Sequence, residues 1–388
     1  ISNSGRYVIN YNGEIYNHSN LRKQLEKDKK YISWKSNCDT ETLLESIDHW
    51  GIIETLNRSI GMFAISIYDR KEQKMFLIRD RYGEKPLYWG FSGYGSNRSL
   101  IFGSDISSIQ AFPFFNNEIS KNAISSFLKY SYISGKNSIY KGIEKLKAGG
   151  IIEIDLKKEI ELKALKIYTW WSLKENILTK KNSYYHSEEE ALFKTESSLI
   201  ASLKDQAFAE VPLTCFLSGG IDSSLIATLI INHVRKDLNT LSIGFDEKDY
   251  NESLKARKLS NFLGTNHTEI ILTSEDAYSI IPKLPNIYSE PFADPAAIPT
   301  YLLCQSASTQ NIKVALSGDG ADELFAGYNR YTLGPKIWSI ASKIPTNLRS
   351  RVLNSLNNID ISSLEKIGKL SNYSRFDERA KKIINRLL

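Results

Sequence analysis

Cysteine is scarce in this 388-residue sequence: Cys38, Cys215 and Cys304 are the only three, and no two of them form a C-x-x-C pair. Neither a disulfide framework nor a zinc site is therefore indicated. Reduced thiols are typical of the cytoplasm, which is the compartment we expect. Histidine is also rare, and the five residues at 18, 49, 186, 233 and 267 lack metal-ligand spacing, so we expect surface or helix-capping roles for them.

The sequence also lacks a large excess of either charge, since 50 basic and 44 acidic residues leave a net charge of only +6. Basic clusters such as KDKK at 27–30 have no aromatic residues interleaved, which indicates solvated helix faces and no nucleic-acid partner. No apolar run approaches the ~20 residues of a membrane helix and no signal-peptide pattern is present, so we expect no membrane partner. Because the chain opens on Ile1 rather than Met, we expect an interior piece of a longer protein.

The first part of the chain is rich in strand signals. Runs of β-branched and aromatic residues at 7–11, 61–69, 74–80 and 86–91 alternate with helical spacing, which predicts an α+β domain over residues 1–170. The stretch 171–190 is charged and poor in large aliphatic residues, so it is the predicted linker to a second domain over 191–388.

The pattern changes after this linker. Strand and helix signals alternate, with strands expected at 211–217, 240–245, 267–272 and 312–317. This alternation predicts an α/β domain with a doubly wound parallel sheet.

The stretch CFLSGGIDSSLIATLI, residues 215–230, passes from a strand through two glycines into a helix. Backbone amides and the helix N-terminus can surround an anion at such a turn, and the hydroxyls of Ser218 and Ser223 add donors. The lysine of a G-x-x-x-x-G-K-[ST] loop is missing, so this is not a Walker loop.

A second turn of similar design occurs in ALSGDGADELFAGY, residues 315–328, where Ser317 and Gly318 end a strand. Each turn alone is equally consistent with an ordinary strand-to-helix connection with capping acids. Together they favour nucleotide binding at one edge of the sheet. Carboxylates would repel a polyphosphate unless a divalent ion lies between them, so we expect Mg²⁺ held by Asp222 and Asp322.

SGGIDSS resembles the signature of the N-type ATP pyrophosphatases. Together with LSGDGADELFAGY and the stretch at 241–269, it also resembles the synthetase half of glutamine-dependent asparagine synthetases. The resemblance implies that Asp319 shapes the acyl-adenylate site, although the family often has glutamate there. It also implies ATP contacts from a set of residues in the two turns and the second strand: Leu217, Ser218, Gly219, Gly220, Asp222, Ser223, Ile243, Ser317 and Gly318.

Asn12-Gly13, between alternating β segments, is by itself the strongest short-range hairpin signal. The surrounding NGEIYNH, with CDTE at 38–41 and RDRYGEKPLYW at 79–89, also resembles class II glutamine amidotransferase domains, which have an Ntn-hydrolase fold. That resemblance implies an oxyanion hole made by Asn12 and Gly13. It further implies that four residues bind glutamine, namely Asn12, Gly13, Glu14 and Asp39. Of these, Asp39 pairs with the α-ammonium group of glutamine.

The nucleophile of that family is an N-terminal cysteine, which lies upstream of the NGEIYNH block. Cys38 cannot replace it because an internal cysteine has no free amine, and we expect Cys215 to be a buried strand residue. We therefore expect no glutaminase activity from the chain as written. The family also continues past residue 388, where a lysine contacts ATP. Two interpretations remain open for the loop around Glu290 and Asp294: it lines the pocket of the acceptor substrate, or it is a solvated loop.

The resemblance implies a glutamine- and ATP-dependent amidation of aspartate to asparagine through an acyl-adenylate, giving AMP and pyrophosphate. It also implies a homodimer. One alternative is amidation of a sugar carboxylate in surface-polysaccharide biosynthesis, because YNRYTLGPKIWSIASKIP at 328–345 resembles such relatives. Two others are an RNA-modifying ATP pyrophosphatase, which the mild charge disfavours, and a scaffold without catalysis.

Overall fold

The computed structural model describes residues 1–28, 32–95, 98–158, 165–180, 185–207, 211–246 and 252–328, together with 331, 334–336, 338–339, 342–343 and 345. Residues 1–317 form one compact unit and residues 318–388 form another. Within the described ranges, no helix is both long and apolar enough to cross a lipid bilayer.

The first domain contains eight of the described strands and five helices. The strands are β1 (Tyr7–Ile15), β2 (Gly61–Asp69), β3 (Lys74–Arg79), β4 (Tyr88–Ser92), β5 (Ser99–Gly103), β6 (Ile143–Lys145), β7 (Gly150–Asp155) and β8 (Leu165–Thr169). The helices are α1 (His18–Asp28), α2 (Asp39–Trp50), α3 (Ile52–Arg58), α4 (Ile106–Gln110) and α5 (Lys121–Tyr130).

These strands form two antiparallel sheets, of order β1-β2-β3-β7-β8 and β5-β4-β6. Strand alternation explains the packing: Phe63, Ile65 and Ile67 of β2 face the core beneath α1 and α2, whereas Ala64 faces the other sheet. The second sheet buries its outer face, including Ile101, against α4 and α5. The domain is therefore a layered α+β sandwich, as the sequence predicts.

The RDRYGEKPLYW block has a structural role. The carboxylate of Asp80, which is fully buried, accepts hydrogen bonds from four backbone N–H groups, those of Phe63, Tyr82, Glu84 and Lys85, at 2.9–3.2 Å. A buried charge is tolerated only when it is compensated in this way. Asp80 therefore holds the loop after β3 in one conformation and ties it to β2.

Two helices follow in and after the predicted linker stretch, α6 (Leu173–Thr179) and α7 (Glu188–Gln206). The second domain then alternates strand and helix. Its remaining elements are β9 (Leu213–Phe216), α8 (Ile221–His233), β10 (Asn239–Phe245), α9 (Ser253–Leu263), β11 (Asn266–Leu272), α10 (Ser274–Ile280), a 3-10 turn (Ile281–Lys283), α11 (Leu284–Ile287), α12 (Ala297–Thr309), β12 (Val314–Leu316) and α13 (Ala321–Phe325), the last of which belongs to the second unit.

The strands of the second domain form a parallel sheet of order β11-β10-β9-β12. Helices cover both faces: Leu213, Cys215 and Leu217 pack towards α7, α8 and α9, while Phe216 and Leu241 pack towards α12. This arrangement confirms the predicted doubly wound α/β domain.

The Asp80 cluster leads to a stability prediction. Asp80→Asn replaces one acceptor oxygen by an NH₂ donor that faces N–H groups, so we expect the free energy of unfolding to fall by about 2–4 kcal/mol. Urea denaturation followed by circular dichroism measures this change. Asp237→Asn is the matched control, because the Asp237 side chain is 82% exposed and its loss should leave stability nearly unchanged. Equal stability of the two variants would contradict the role given to Asp80.

Candidate functional site

The predicted hairpin at Asn12-Gly13 is wrong, because β1 runs straight through both residues. Asn12 pairs with Ala64 and Gly13 with Phe63 in an unbroken antiparallel ladder. Gly13 does not have a positive φ. Its lack of a side chain is needed for close approach, since a Cβ there would lie 2.2 Å from the carbonyl oxygen of Met62. Pairing along the whole strand has outweighed the local turn preference.

The N–H of Gly13 lies on the free edge of the first sheet. β1 is the edge strand, and alternate residues of an antiparallel strand direct their N–H groups away from the neighbouring strand. Tyr7 and Ile15 belong to this alternate set, since their N–H groups donate outward to Ser2 Oγ and Asp39 Oδ2. Gly13 has the same parity, so its N–H points towards the same edge.

The side chains of Asn12 and Glu14 share one face of β1, the face away from α1 and α2. The Nδ2 of Asn12 donates to Ser104 Oγ at 2.9 Å, just after β5. Burial raises the pKa of Glu14, and the nearby charge of Asp39 raises it further.

Asp39, the first residue of α2, is held by two donors on one oxygen. Its Oδ2 accepts from the Tyr11 hydroxyl at 2.7 Å and from the Ile15 N–H at 2.9 Å. Burial and then this contact raise the pKa of Tyr11. The other oxygen, Oδ1, accepts from the Thr40 hydroxyl at the longer distance of 3.4 Å. Oδ1 is therefore the oxygen that can accept a hydrogen bond from an ammonium group. The structure thus brings Asp39 to the end of β1.

The four residues predicted for glutamine therefore lie together, three on β1 and one at the N-terminus of α2. Sequence reasoning missed Tyr11, which orients Asp39. No local pattern marks it, because its hydroxyl bonds a residue in a different element.

In the second domain, β9 ends at a turn that its own hydroxyls stabilise. Ser218 Oγ lies 2.9 Å from Ser223 Oγ, and Gly220 N–H donates to Ser218 Oγ at 3.2 Å. Gly219 has φ +75°, a conformation that favours glycine. The first turn of α8 follows with its amides and positive dipole end directed at this turn.

Gly219 also packs tightly against α9. A Cβ at this position would lie 2.7 Å from the Cβ of Lys255 and 2.9 Å from the backbone nitrogen of Ala256. Lys255 is exposed. A basic residue of another helix therefore stands beside the turn, although the sequence has no lysine within the turn itself.

The order of the strands places the second turn next to the first. β9 has β10 on one side and β12 on the other, so the direction of winding reverses between β9 and β12. Leu316 is in register with Cys215, which puts Ser317 one position beyond, level with Phe216. With neighbouring strands ~4.8 Å apart, Ser317 and Ser218 lie within about 10 Å at the same carboxyl edge.

The other predicted nucleotide residues are distributed as follows. Leu217 is buried and its N–H donates to Leu241 O at 2.8 Å, and Ile243 lies on β10. Asp222 is in the first turn of α8. Gly318, Asp319 and Asp322 belong to the second unit, in which Asp322 opens the first turn of α13 with Glu323.

Within the described residues, no group of three or more His, Cys, Asp or Glu residues is arranged to hold a metal ion. A cavity of about 630 Å³ lies at the opposite, amino edge of the parallel sheet, bordered by Pro212, Leu238 and Asn266 among others. It is separate from the two turns.

Two expectations about single residues have different outcomes. Cys215 is buried, as predicted, and burial raises the pKa of its thiol to about 12. His267 is half-buried in β11 and caps no helix: its two ring nitrogens lie 2.9 Å from Thr240 Oγ1 and 3.1 Å from Ser242 Oγ. Burial lowers its pKa.

Residues 1–171 match the family of the glutamine amidotransferase domain, and residues 194–384 match the asparagine synthase family. Residues 194–384 therefore belong to the asparagine synthase family, and a glutamine amidotransferase domain precedes them.

Similar relatives include asparagine synthetase (glutamine-hydrolyzing) 1 of Bacillus subtilis, 30% identical over 89% of this chain and 51% of that protein. Putative asparagine synthetase (glutamine-hydrolyzing) 2 of Methanocaldococcus jannaschii is 31% identical over 88% of this chain and 62% of that protein. The chain thus spans between half and two thirds of the length of these relatives.

The contacts of Gly219 yield a matched pair of variants. Gly219→Ala adds overpacking against α9 to the strain of a positive φ, so we expect it to lower the free energy of unfolding by about 2–4 kcal/mol. Gly264→Ala has a similar φ of +69° but nothing within 4 Å of the added Cβ, and should cost about 1 kcal/mol. Chemical denaturation of both variants measures the difference. Equal losses would show that α9 does not press on the turn.

Proposed function

We propose that the protein containing this chain is a glutamine-hydrolysing asparagine synthetase, which uses ATP to amidate aspartate. The observation that carries the proposal is the pair of Ser-Gly turns at the carboxyl ends of β9 and β12, where the winding of the sheet reverses. Ligands of open α/β sheets bind at such a position. Membership of the asparagine synthetase family supports the same choice of reaction.

In this proposal the triphosphate of ATP lies against the turn after β9. On binding, the Gly220 N–H and the hydroxyls of Ser218 and Ser223 exchange their hydrogen bonds within the turn for bonds to phosphate oxygens. The Gly219 amide and the first turn of α8 donate beside them. Leu217, Ile243, Ser317 and Gly318 complete the site. Lys255, whose Cβ lies beside Gly219, is proposed to reach the phosphates with its exposed side chain.

We propose that Asp222 and Asp322 hold Mg²⁺ at this site. Asp222 fits because it is in the first turn of α8, beside the Ser-Gly-Gly turn. Magnesium bound to substrate phosphates commonly needs only one or two protein carboxylates, so a larger protein cluster is not required. When bound, the ion neutralises phosphate charge near the reacting α-phosphorus.

The reaction is an amidation in two steps. An oxygen of the aspartate side-chain carboxylate attacks the α-phosphorus of ATP and displaces pyrophosphate, forming an acyl-adenylate. Ammonia then attacks the acyl carbon, AMP leaves and a proton is lost, giving asparagine. We propose that Asp319 lies beside the acyl-adenylate. Water must be excluded, because it would hydrolyse this intermediate.

The ammonia comes from glutamine in the first domain. Gly13 N–H and Asn12 Nδ2 are proposed to oppose the negative charge that develops on the tetrahedral intermediate, an effect worth ~3–4 kcal/mol for one donor. Glu14 and Asp39 bind the amino-acid end of glutamine, with Asp39 kept in place by Tyr11. We also propose that the enzyme works in the cytoplasm as a homodimer, without nucleic-acid or membrane partners.

The test is product formation by the whole protein with Mg²⁺, ATP, aspartate and either glutamine or ammonium. We expect asparagine, AMP and pyrophosphate in equal amounts, detected by mass spectrometry, and aspartate-dependent exchange of labelled pyrophosphate into ATP. Asp319→Asn should lower the exchange rate at least about tenfold, whereas the exposed Asp237→Asn should not.

Other outcomes would replace this proposal. Amidation of a uronic acid but not of aspartate would favour the alternative acceptor, a sugar carboxylate. Within the segment at 328–345 that suggests this alternative, residues 329–330, 332–333, 337, 340–341 and 344 lie outside the described residues. Tight binding of tRNA would favour RNA modification, and no exchange with any carboxylate would indicate a scaffold.

A further inference from the structure

Glu290 is the centre of a buried polar contact between the two domains. It lies in the proline-rich loop between α11 and α12, and its side chain is only 11% exposed. One oxygen, Oε2, lies 2.6 Å from Lys145 Nζ and accepts from the Tyr88 hydroxyl at 3.2 Å. The other, Oε1, accepts from the Ile139 N–H at 2.8 Å. A solvated loop is therefore excluded for Glu290, and its carboxylate is fully engaged with the first domain.

Its three partners all belong to the first domain. Tyr88 is on β4, Lys145 is on β6, and Ile139 lies in the segment leading to β6. Lys145 Nζ also donates to Ile133 O at 2.9 Å. Burial raises the pKa of the Tyr88 hydroxyl, and the charge of Glu290 raises it further.

A backbone hydrogen bond lies a few residues farther along the same loop. The N–H of Ala293 donates to Ser131 O at 2.9 Å, just after α5. The loop is therefore attached to the first domain by its backbone as well as by the Glu290 side chain. Both oxygens of Glu290 have directional partners, so this contact fixes the orientation of the loop and not only its distance from the first domain.

The contact lies between the two candidate sites. On one side, Tyr88 pairs with Gly103 of β5, and the next residue, Ser104, accepts the side-chain hydrogen bond of Asn12. On the other side, the loop leads into α12, which packs on β10 and precedes β12 and Ser317. Strand pairing and hydrogen bonds thus join Asn12 of β1 to the loop, and the chain itself, through α12, joins the loop to β12.

We propose that Glu290 is a positioning residue that docks the amidotransferase domain onto the loop before α12, so that ammonia formed in one domain is delivered to the other. The delivery of ammonia rests on the proposed function, whereas the docking of the two domains rests on the contacts of Glu290 and Ala293 described above. Glu290 touches no reacting atom in this account. Its loss should therefore uncouple the two half-reactions and leave each of them intact.

The first experiment measures coupling in the whole protein. Glutamate release, ammonia-dependent asparagine synthesis and glutamine-dependent asparagine synthesis are assayed separately for the wild type and Glu290→Ala. We expect the variant to make at least about threefold less asparagine per glutamate, with ammonia-dependent synthesis within twofold of the wild type. Glu290→Gln can still accept from Ile139 and Tyr88, so its yield of asparagine per glutamate should lie between those of the wild type and Glu290→Ala.

Glu144→Ala is the matched control, because Glu144 is also on β6 and pairs with Lys136 inside the first domain, where the two side chains are 37% and 68% exposed. It should couple like the wild type. Normal coupling in Glu290→Ala, or equal uncoupling in Glu144→Ala, would overturn the proposal.

The second experiment does not depend on activity. Hydrogen exchange followed by mass spectrometry is compared for the wild type and the same variants of this chain. We expect at least about tenfold faster exchange of the amides at 137–145 and 290–296 in Glu290→Ala only, because the loop no longer docks. Unchanged exchange there would refute docking. If the wild type makes no asparagine from either nitrogen source, the proposed function fails, while this result still decides the docking role.

Discussion

The parallel pairing of β9 with β12 is the constraint on which the account depends. The two strands are separated by about a hundred residues of chain, yet their register brings a Ser-Gly turn from each to the same edge of the sheet. Neither turn alone distinguishes an anion site from an ordinary connection to a helix. Their meeting at the point where the winding reverses favours an anion site, because ligands of open α/β sheets bind at such a position.

In the first domain an edge strand has the corresponding role. β1 is paired on one side only, so alternate amides, including that of Gly13, face outward. The start of α2 lies against this edge and supplies Asp39. Glycine serves different physical needs in the two domains: Gly13 permits two backbones to approach, whereas Gly219 permits both a positive φ and contact with α9.

The sequence predicts the α+β and α/β folds well, because strand alternation and strand-helix alternation are local signals. The roles of the residues at the two candidate sites stay predictions. It fails where long-range pairing decides. The Asn12-Gly13 hairpin is wrong since β2 pairs along all of β1. Tyr11, Lys255 and the partners of Glu290 could not be identified, because each meets its neighbour only after the chain has folded. His267 looks like an isolated surface residue until β10 and β11 pair.

The most direct test of the central claim is hydrogen exchange of this protein with and without Mg·ATP. The account predicts that saturating nucleotide slows exchange of the amides at 218–224 and 317–319, while the amino edge around Leu238 and Asn266 is unaffected. Nucleotide binding that protects the amino edge and leaves both turns unchanged would contradict it.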